Sequence, residues 1–238
     1  MYKVIVIIPC YNEEKNINQV MENIRTHSFS DKYIIDCIVI NDCSKDGTLD
    51  ICKKNGYDYL NLSSNLGIGG CVQAGYLYAC ERGYNIAIQH DGDGQHDPGY
   101  FENAISPIVS EQADIVIGSR FADEKGFQST RLRQFGIVFL SNLIYLCTGV
   151  KIYDVTSGYR AVNREFIEFF AARYAQDYPE PESIVDAALN NARILEIPVI
   201  MHERKEGKSS ITPLKSLYYM FKVSLSILLH RIIVIRRD

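Results

Sequence analysis

The sequence lacks any apolar run of the about 20 residues that a membrane-spanning helix needs; its nearest approach, residues 223–235, falls short. No signal peptide is expected either. The apolar start is brief and meets Asn12-Glu13-Glu14 at once, so the chain is expected in the cytoplasm. The seven cysteines (Cys10, Cys37, Cys43, Cys52, Cys71, Cys80, Cys147) contain no C-x-x-C pair and no zinc spacing. An odd set of this kind reads as reduced thiols, most of them small core residues. Gly67, Gly69 and Gly70 do not form G-x-G-x-x-G, which excludes the dinucleotide fingerprint. Gly-rich, Ser-rich and RNA-stacking motifs are missing around the basic residues, so nucleic acid is not an expected partner.

What is present is ordinary globular material: 238 residues, 47% hydrophobic and 23% charged, enough for a full core in one large domain or one domain with an appendage. The net charge of -4 conceals an asymmetry, because from Glu203 onward eight Lys or Arg face three acids. Those basic residues alternate with aliphatic runs, a pattern suited to an anionic membrane surface.

The most informative stretch is Ile86-Ala87-Ile88-Gln89-His90-Asp91-Gly92-Asp93-Gly94-Gln95-His96-Asp97-Pro98. An apolar strand climbs to two carboxylates and is stopped by glycines and a proline, so the acids gather where a strand meets a loop. Open α/β sheets bind ligands at such places. Asp91, Asp93 and the Gln95 amide oxygen are hard donors that suit Mg²⁺ or Mn²⁺, and a metal held there can clamp a diphosphate. A plain acidic turn is the alternative.

Strands are expected over residues 3–9, 34–41, 57–62, 85–90, 113–118 and 194–201, alternating with helices that begin near Glu13, after Thr48 and after Gly70. That rhythm predicts an α/β fold with a doubly wound, mostly parallel sheet flanked by helices, its polar loops at the strands' carboxyl ends. Tyr11 can stack on a base, Glu13 and Asp42 can accept from ribose hydroxyls and a base N–H, and the glycines near Gly67 let backbone approach a ligand. Each has a local alternative: Glu13 as a first-turn helix residue, Asp46 as a cap, the Gly67 cluster as a tight helix entry.

Six stretches stand in order: Pro9-Cys10-Tyr11-Asn12-Glu13-Glu14, Asn41-Asp42-Cys43-Ser44-Lys45-Asp46-Gly47-Thr48, Asn65-Leu66-Gly67, Asp91-Gly92-Asp93-Gly94-Gln95-His96, Gly118-Ser119-Arg120 and Thr156-Ser157-Gly158-Tyr159-Arg160. Together they resemble the motifs of inverting family 2 glycosyltransferases with a GT-A, Rossmann-like fold, within which the chain is similar to the dolichol-phosphate mannosyltransferase-like branch. The resemblance runs to about Ser210. It implies a metal-dependent transferase that moves a sugar from a nucleotide sugar to a polyprenyl phosphate, undecaprenyl or dolichyl, for cell-surface glycans. A UDP-sugar such as UDP-glucose or UDP-GlcNAc is favoured, with GDP-mannose the other candidate.

The same resemblance implies donor contacts from Pro9, Tyr11, Glu13, Asp42, Gly67, Asp91, Gly92, Asp93 and Ser209, with metal on Asp91, Asp93 and Gln95. Acceptor phosphate would fall to Arg120, Arg204 and an arginine of the intervening loop, Arg131 or Arg133, since guanidinium forks bind phosphate with two bonds. Where branch members often carry a serine four residues after the loop arginine, counting from Arg133 gives Ile137. Catalytic weight would rest on Asp91, Asp93, Arg120 and Arg204. Residues 122–133 read as a polar loop over the site and residues 135–147 as a long apolar helix.

Glu180 and Glu182, in Tyr178-Pro179-Glu180-Pro181-Glu182, stand where many family members carry a general base. A polyprenyl phosphate needs no base, its second pKa being about 6, so these acids orient a sugar hydroxyl or simply occupy a stiff turn. If they do act as base, the enzyme extends a glycan instead. A non-catalytic nucleotide-sugar-binding subunit is the reading from another class, and retention of the metal ligands argues against it.

The expected layout is a catalytic domain over residues 1–211 and amphipathic helices over 212–238. These helices lie in the membrane interface or else cover the core. The protein would then sit peripherally on the inner face of the membrane, with room for a transmembrane partner or a homo-oligomer.

Overall fold

The structure is a computed structural model that describes residues 1–121, 131–202, 220–229 and 231. Its centre is a seven-stranded sheet in the order β3-β2-β1-β4-β6-β5-β7. The strands are β1 (Tyr2–Cys10), β2 (Tyr33–Asn41), β3 (Tyr59–Asn61), β4 (Ile86–Gln89), β5 (Ile115–Ser119), β6 (Arg160–Asn163) and β7 (Ile194–Pro198). All pairings are parallel except those of β6, which runs antiparallel between β4 and β5. The helices are α1 (Ile17–Thr26), α2 (Thr48–Lys54), α3 (Gly67–Glu81), α4 (Phe101–Val109), α5 (Arg131–Thr148), α6 (Arg164–Ala172) and α7 (Pro179–Leu189).

Alternation along β1 builds both layers. Ile5 and Ile7 join Ile38, Ile40 and Ala87 under α3, α5, α6 and α7, whereas Val4, Val6, Ile8 and Cys10 join Val39, Ile86 and Ile88 under α1 and α4. A strand apolar on both faces belongs inside a two-faced α/β sheet, which is why these runs read as continuous β-branched residues. All seven cysteines are free, and Cys10, Cys52, Cys71 and Cys147 are buried.

Some boundaries differ from expectation. Helix α1 starts at Ile17, not near Glu13, because the Glu13 carbonyl accepts from the N–H groups of Asn16 and Ile17 and a turn precedes the helix. Helix α5 already includes Arg131 and Arg133, which the sequence places in the loop; residues 122–130 of that loop lie outside the described residues. The segment around Glu180 is the first turn of α7, with Pro179 at its first position, where the missing N–H costs nothing. Strand β6 was not anticipated.

Residues 220–229 are helical, and Val223 and Ile227, both 0% exposed, join the core cluster of α5 and α7. Their opposite side leaves Phe221, Leu225, Leu228 and Leu229 exposed. No helix among the described residues is long and apolar enough to cross a membrane.

Candidate active site

The carboxyl ends of β1, β2 and β4 lie side by side, with Cys10 in register with Asn41 and Ile7 with Gln89. The loops leaving β1 and β2 are laced together. The Asn12 N–H donates to Ser44 Oγ at 3.0 Å and Lys45 N–H to Asn12 Oδ1 at 2.8 Å; Glu14 N–H donates to Asp46 Oδ2 at 3.0 Å and Gly47 N–H to Glu14 Oε2 at 2.8 Å. Asn12 and Cys43 both adopt φ 57, the left-handed turn these contacts require.

Within that scaffold Glu13 is nearly buried: its Oε2 accepts from Asn16 Nδ2 at 2.7 Å, and its N–H donates to Thr48 Oγ1 at 2.9 Å. Asp42 caps α3, accepting from the N–H groups of Leu66 at 2.7 Å and Gly67 at 3.0 Å. Gly67 needs its freedom, at φ +75. Gly69 and Gly70 serve packing: a Cβ on Gly69 would lie 2.2 Å from the Ala175 carbonyl oxygen, and one on Gly70 2.6 Å from Leu66 Cβ. Pro9 is buried in β1 and Tyr11 stands exposed beyond it, free to stack on a planar ligand.

The acidic loop follows β4. Gly92 seats it on β1, since a Cβ there would lie 2.5 Å from Cys10 Sγ. Asp93 Oδ1 accepts from Gln95 N–H at 3.1 Å. Gln95 bridges to the end of β7: its Nε2 donates to the His202 carbonyl at 3.0 Å, and His202 N–H donates to the Gln95 carbonyl at 2.9 Å. Asp91 Oδ2 meets His96 Nε2 at 3.2 Å. Burial raises the Asp91 pKa, but the His96 hydrogen bond and the nearby imidazoles outweigh it and hold the carboxyl below its usual range. His90 is driven the other way. Burial and then its neighbour His96 push it down to about 3, so it packs as a neutral ring whose two nitrogens find no partner among the described residues.

Two carboxylates and an amide oxygen on one short loop fit Mg²⁺ or Mn²⁺, with the rest of the shell left to a diphosphate and water. No group of three His, Cys, Asp or Glu that could hold a metal by itself occurs among the described residues. Such a cation must therefore draw on neutral or ligand oxygens.

Arg120, at the end of β5, is nearly buried and engaged. Its Nε and Nη2 donate to the two oxygens of Asp154, each at 2.7 Å, and Nη2 also donates to Thr156 Oγ1 at 2.9 Å. The Asp91 charge acts on this guanidinium, so the two groups share one electrostatic neighbourhood. Arg160, 1% exposed on β6, donates from Nη1 to Ser183 Oγ at 2.6 Å and from Nη2 to the Ser157 carbonyl at 2.8 Å. Both of its terminal nitrogens also reach the Glu180 carbonyl, tying the first turn of α7 to the sheet. Glu180 and Glu182 are half-buried in that turn. The Tyr174 phenol feels both Glu180 and Asp91, which brings α7 and the acidic loop into one region. The side chains of Arg131 and Arg133, and all of Arg204 and Ser209, lie outside the described residues.

Sequence reasoning assigned no role to His96, Asp154 or Arg160. His96 and Arg160 stood inside motif stretches; Asp154 carried no signal of its own.

A family model described as glycosyl transferase family 2 matches residues 5–170, spanning every loop described above from Tyr11 to Arg160. The chain belongs to glycosyl transferase family 2. As a family 2 member it is a glycosyltransferase, and its sheet is that of the GT-A fold.

Among similar proteins is UDP-N-acetylglucosamine–dolichyl-phosphate N-acetylglucosaminyltransferase of Methanococcus voltae, 30% identical over 214 residues, covering 82% of this chain and 83% of that protein. Another is polyprenol monophosphomannose synthase of Mycolicibacterium smegmatis, 28% identical over 232 residues, covering 93% and 86%. In fold, the chain resembles glucosyl-3-phosphoglycerate synthase of Mycobacterium tuberculosis, crystallised with Mn²⁺, UDP-glucose and phosphoglyceric acid. The TM-score is 0.71 at 18% identity, over 97% of this chain and 79% of that one.

Proposed function

We propose that this family 2 enzyme transfers a sugar from a nucleotide sugar to a polyprenyl phosphate, with inversion. The observation that carries the reading is the acidic loop at the end of β4, set between the Tyr11–Asp42 scaffold on one side and Arg120 on the other. The named relatives act on dolichyl or polyprenyl phosphates, which supports the acceptor class. A phosphate oxygen of the acceptor forms the bond to the anomeric carbon while the bond to the diphosphate breaks and its electron pair leaves with the nucleoside diphosphate. An acceptor monoester is already ionised near pH 7, its second pKa being about 6, so no side chain need remove a proton.

Asp91, Asp93 and Gln95 would hold a divalent cation, which would supply positive charge to the leaving diphosphate. The chain's own part is to orient: Tyr11, Glu13 and Asp42 toward the nucleoside, Arg120 and Arg204 with Arg131 or Arg133 toward the acceptor phosphate. A UDP-sugar, UDP-glucose or UDP-GlcNAc, is the favoured donor, and GDP-mannose is the other candidate. The protein works at an anionic membrane surface, and the exposed apolar side chains of α5 and residues 220–229 support that placement.

The test offers each nucleotide sugar with a short polyprenyl phosphate and counts lipid-linked product with and without Mg²⁺ or Mn²⁺. One donor should give metal-dependent product, and Asp93→Asn should cut turnover by orders of magnitude in a folded protein. Undiminished turnover in excess chelator overturns the metal assignment. Loss of product in Glu180→Gln or Glu182→Gln overturns the base-free acceptor in favour of glycan extension.

A further inference from the structure

Asp91 is bordered on two sides. His96 Nε2 lies 3.2 Å from its Oδ2. A Cβ added to Gly158, just ahead of β6, would fall 3.0 and 3.2 Å from the Asp91 carboxylate oxygens, so the backbone there passes close to the carboxylate. Asp93 Oδ1 accepts from the Gln95 N–H of the same loop.

The His96 ring is itself immobilised. Its side chain is 3% exposed and packs against His90 at 5.5 Å and Tyr159 at 5.2 Å, with Phe101 stacked on Tyr159 at 6.2 Å. An ionised carboxylate only accepts, so the Nε2 of His96 carries the hydrogen and donates it to Asp91.

We propose that His96 is a positioning residue for Asp91, its Nε2–H bond holding the carboxylate in the orientation that the divalent cation and the donor diphosphate engage. This rests on the metal reading of the Asp91 loop. A ring wedged among other rings fixes a hydrogen-bond donor more rigidly than a flexible amide does, and partners of this kind, standing behind a metal ligand, tune affinity about 10–100-fold.

The test compares His96→Phe, which keeps a ring and loses the donor, with His96→Gln, which keeps a donor at a similar reach. Binding of Mn²⁺ in the presence of UDP, and separately of GDP, is read from the free-ion electron paramagnetic resonance signal without turnover, and thermal unfolding is measured alongside. His96→Phe should weaken Mn²⁺–nucleotide binding about 10–100-fold with its unfolding temperature near wild type, and His96→Gln should restore most of it. If His96→Phe does not fold, His96→Asn replaces it, its amide being too short to reach Asp91. Wild-type binding in the donor-less variant, or an equal loss in His96→Gln, overturns the proposal. A wild-type protein that takes up no Mn²⁺ with either nucleotide overturns the metal reading instead.

Discussion

Arg120 meets Asp154 through a two-pronged ion pair in which Asp154 is 0% exposed on its side chain. The Asp154 N–H in turn donates to Glu196 Oε1 at 2.8 Å, so the pair is braced from β7. A buried carboxylate that loses its cation retains its desolvation penalty with nothing to offset it. Arg120→Ala should therefore lower stability by about 3–5 kcal/mol, read from urea unfolding, as well as impair catalysis. A loss below 1 kcal/mol would show that the pair has no structural weight. The two effects have to be separated before any kinetic deficit is credited to lost phosphate binding. Asp154 was invisible in the sequence because a lone acid between Tyr153 and Val155 has no periodicity or motif. Asp91 and Asp93 were legible because glycines on either side announce a turn at the end of an apolar strand.

Among the elements, the long β-branched strands were readable and the short ones were not. β6 is only Arg160-Ala161-Val162-Asn163, too brief for alternation to show, and its antiparallel direction is set by partners on both sides. The α1 start was misplaced because side chains of Asn12 and Glu14 bond across to the β2–α2 loop, a tertiary tie that local propensity does not contain. Helix α3 shows how a glycine cluster can mislead. Its glycines look made for a ligand, yet Gly69 faces the carbonyl oxygens of Ala175 and Gln176, where a Cβ would lie 2.2 and 2.3 Å away. Backbone cannot step aside as a side-chain tip can. Gly69→Ala gains about 1 kcal/mol in helix propensity but forces an overlap worth about 1–3 kcal/mol or more, so a net loss of stability is expected. A Gly69→Ala protein with an unchanged or higher urea midpoint would mean that the segment at 175–176 yields freely.

At the scale of the whole molecule, one side of the enzyme is unlike the rest. Residues 134–150 contain no charged side chain, and α5 leaves Phe135 at 73% and Leu146 at 79% exposed while Ile137, Leu140 and Ile144 face the core. The helix of residues 220–229 lies along it: a Cβ on Gly136 would be 3.0 Å from Met220 Sδ, and Arg231 acts on the Cys147 thiol. It adds Phe221 at 72% exposed, with Leu225, Leu228 and Leu229. Exposed apolar side chains with Lys151 and Arg231 beside α5 are what an anionic bilayer would cover, and each such basic residue adds about 1 kcal/mol near the lipid surface. Because Val223 and Ile227 are buried, deleting the C-terminal helix would open the core and test folding rather than docking. The informative change is Phe221→Glu with Leu146→Glu, which spares the core. In this protein, co-sedimentation with anionic vesicles at low salt should fall at least tenfold while thermal unfolding and nucleotide binding stay near wild type, and wild-type sedimentation should weaken as salt screens the basic residues. Vesicle binding that is equal in the two proteins would remove this face from the membrane. Gel filtration in which wild type runs as a dimer and the variant as a monomer would assign the face to a second copy of the chain.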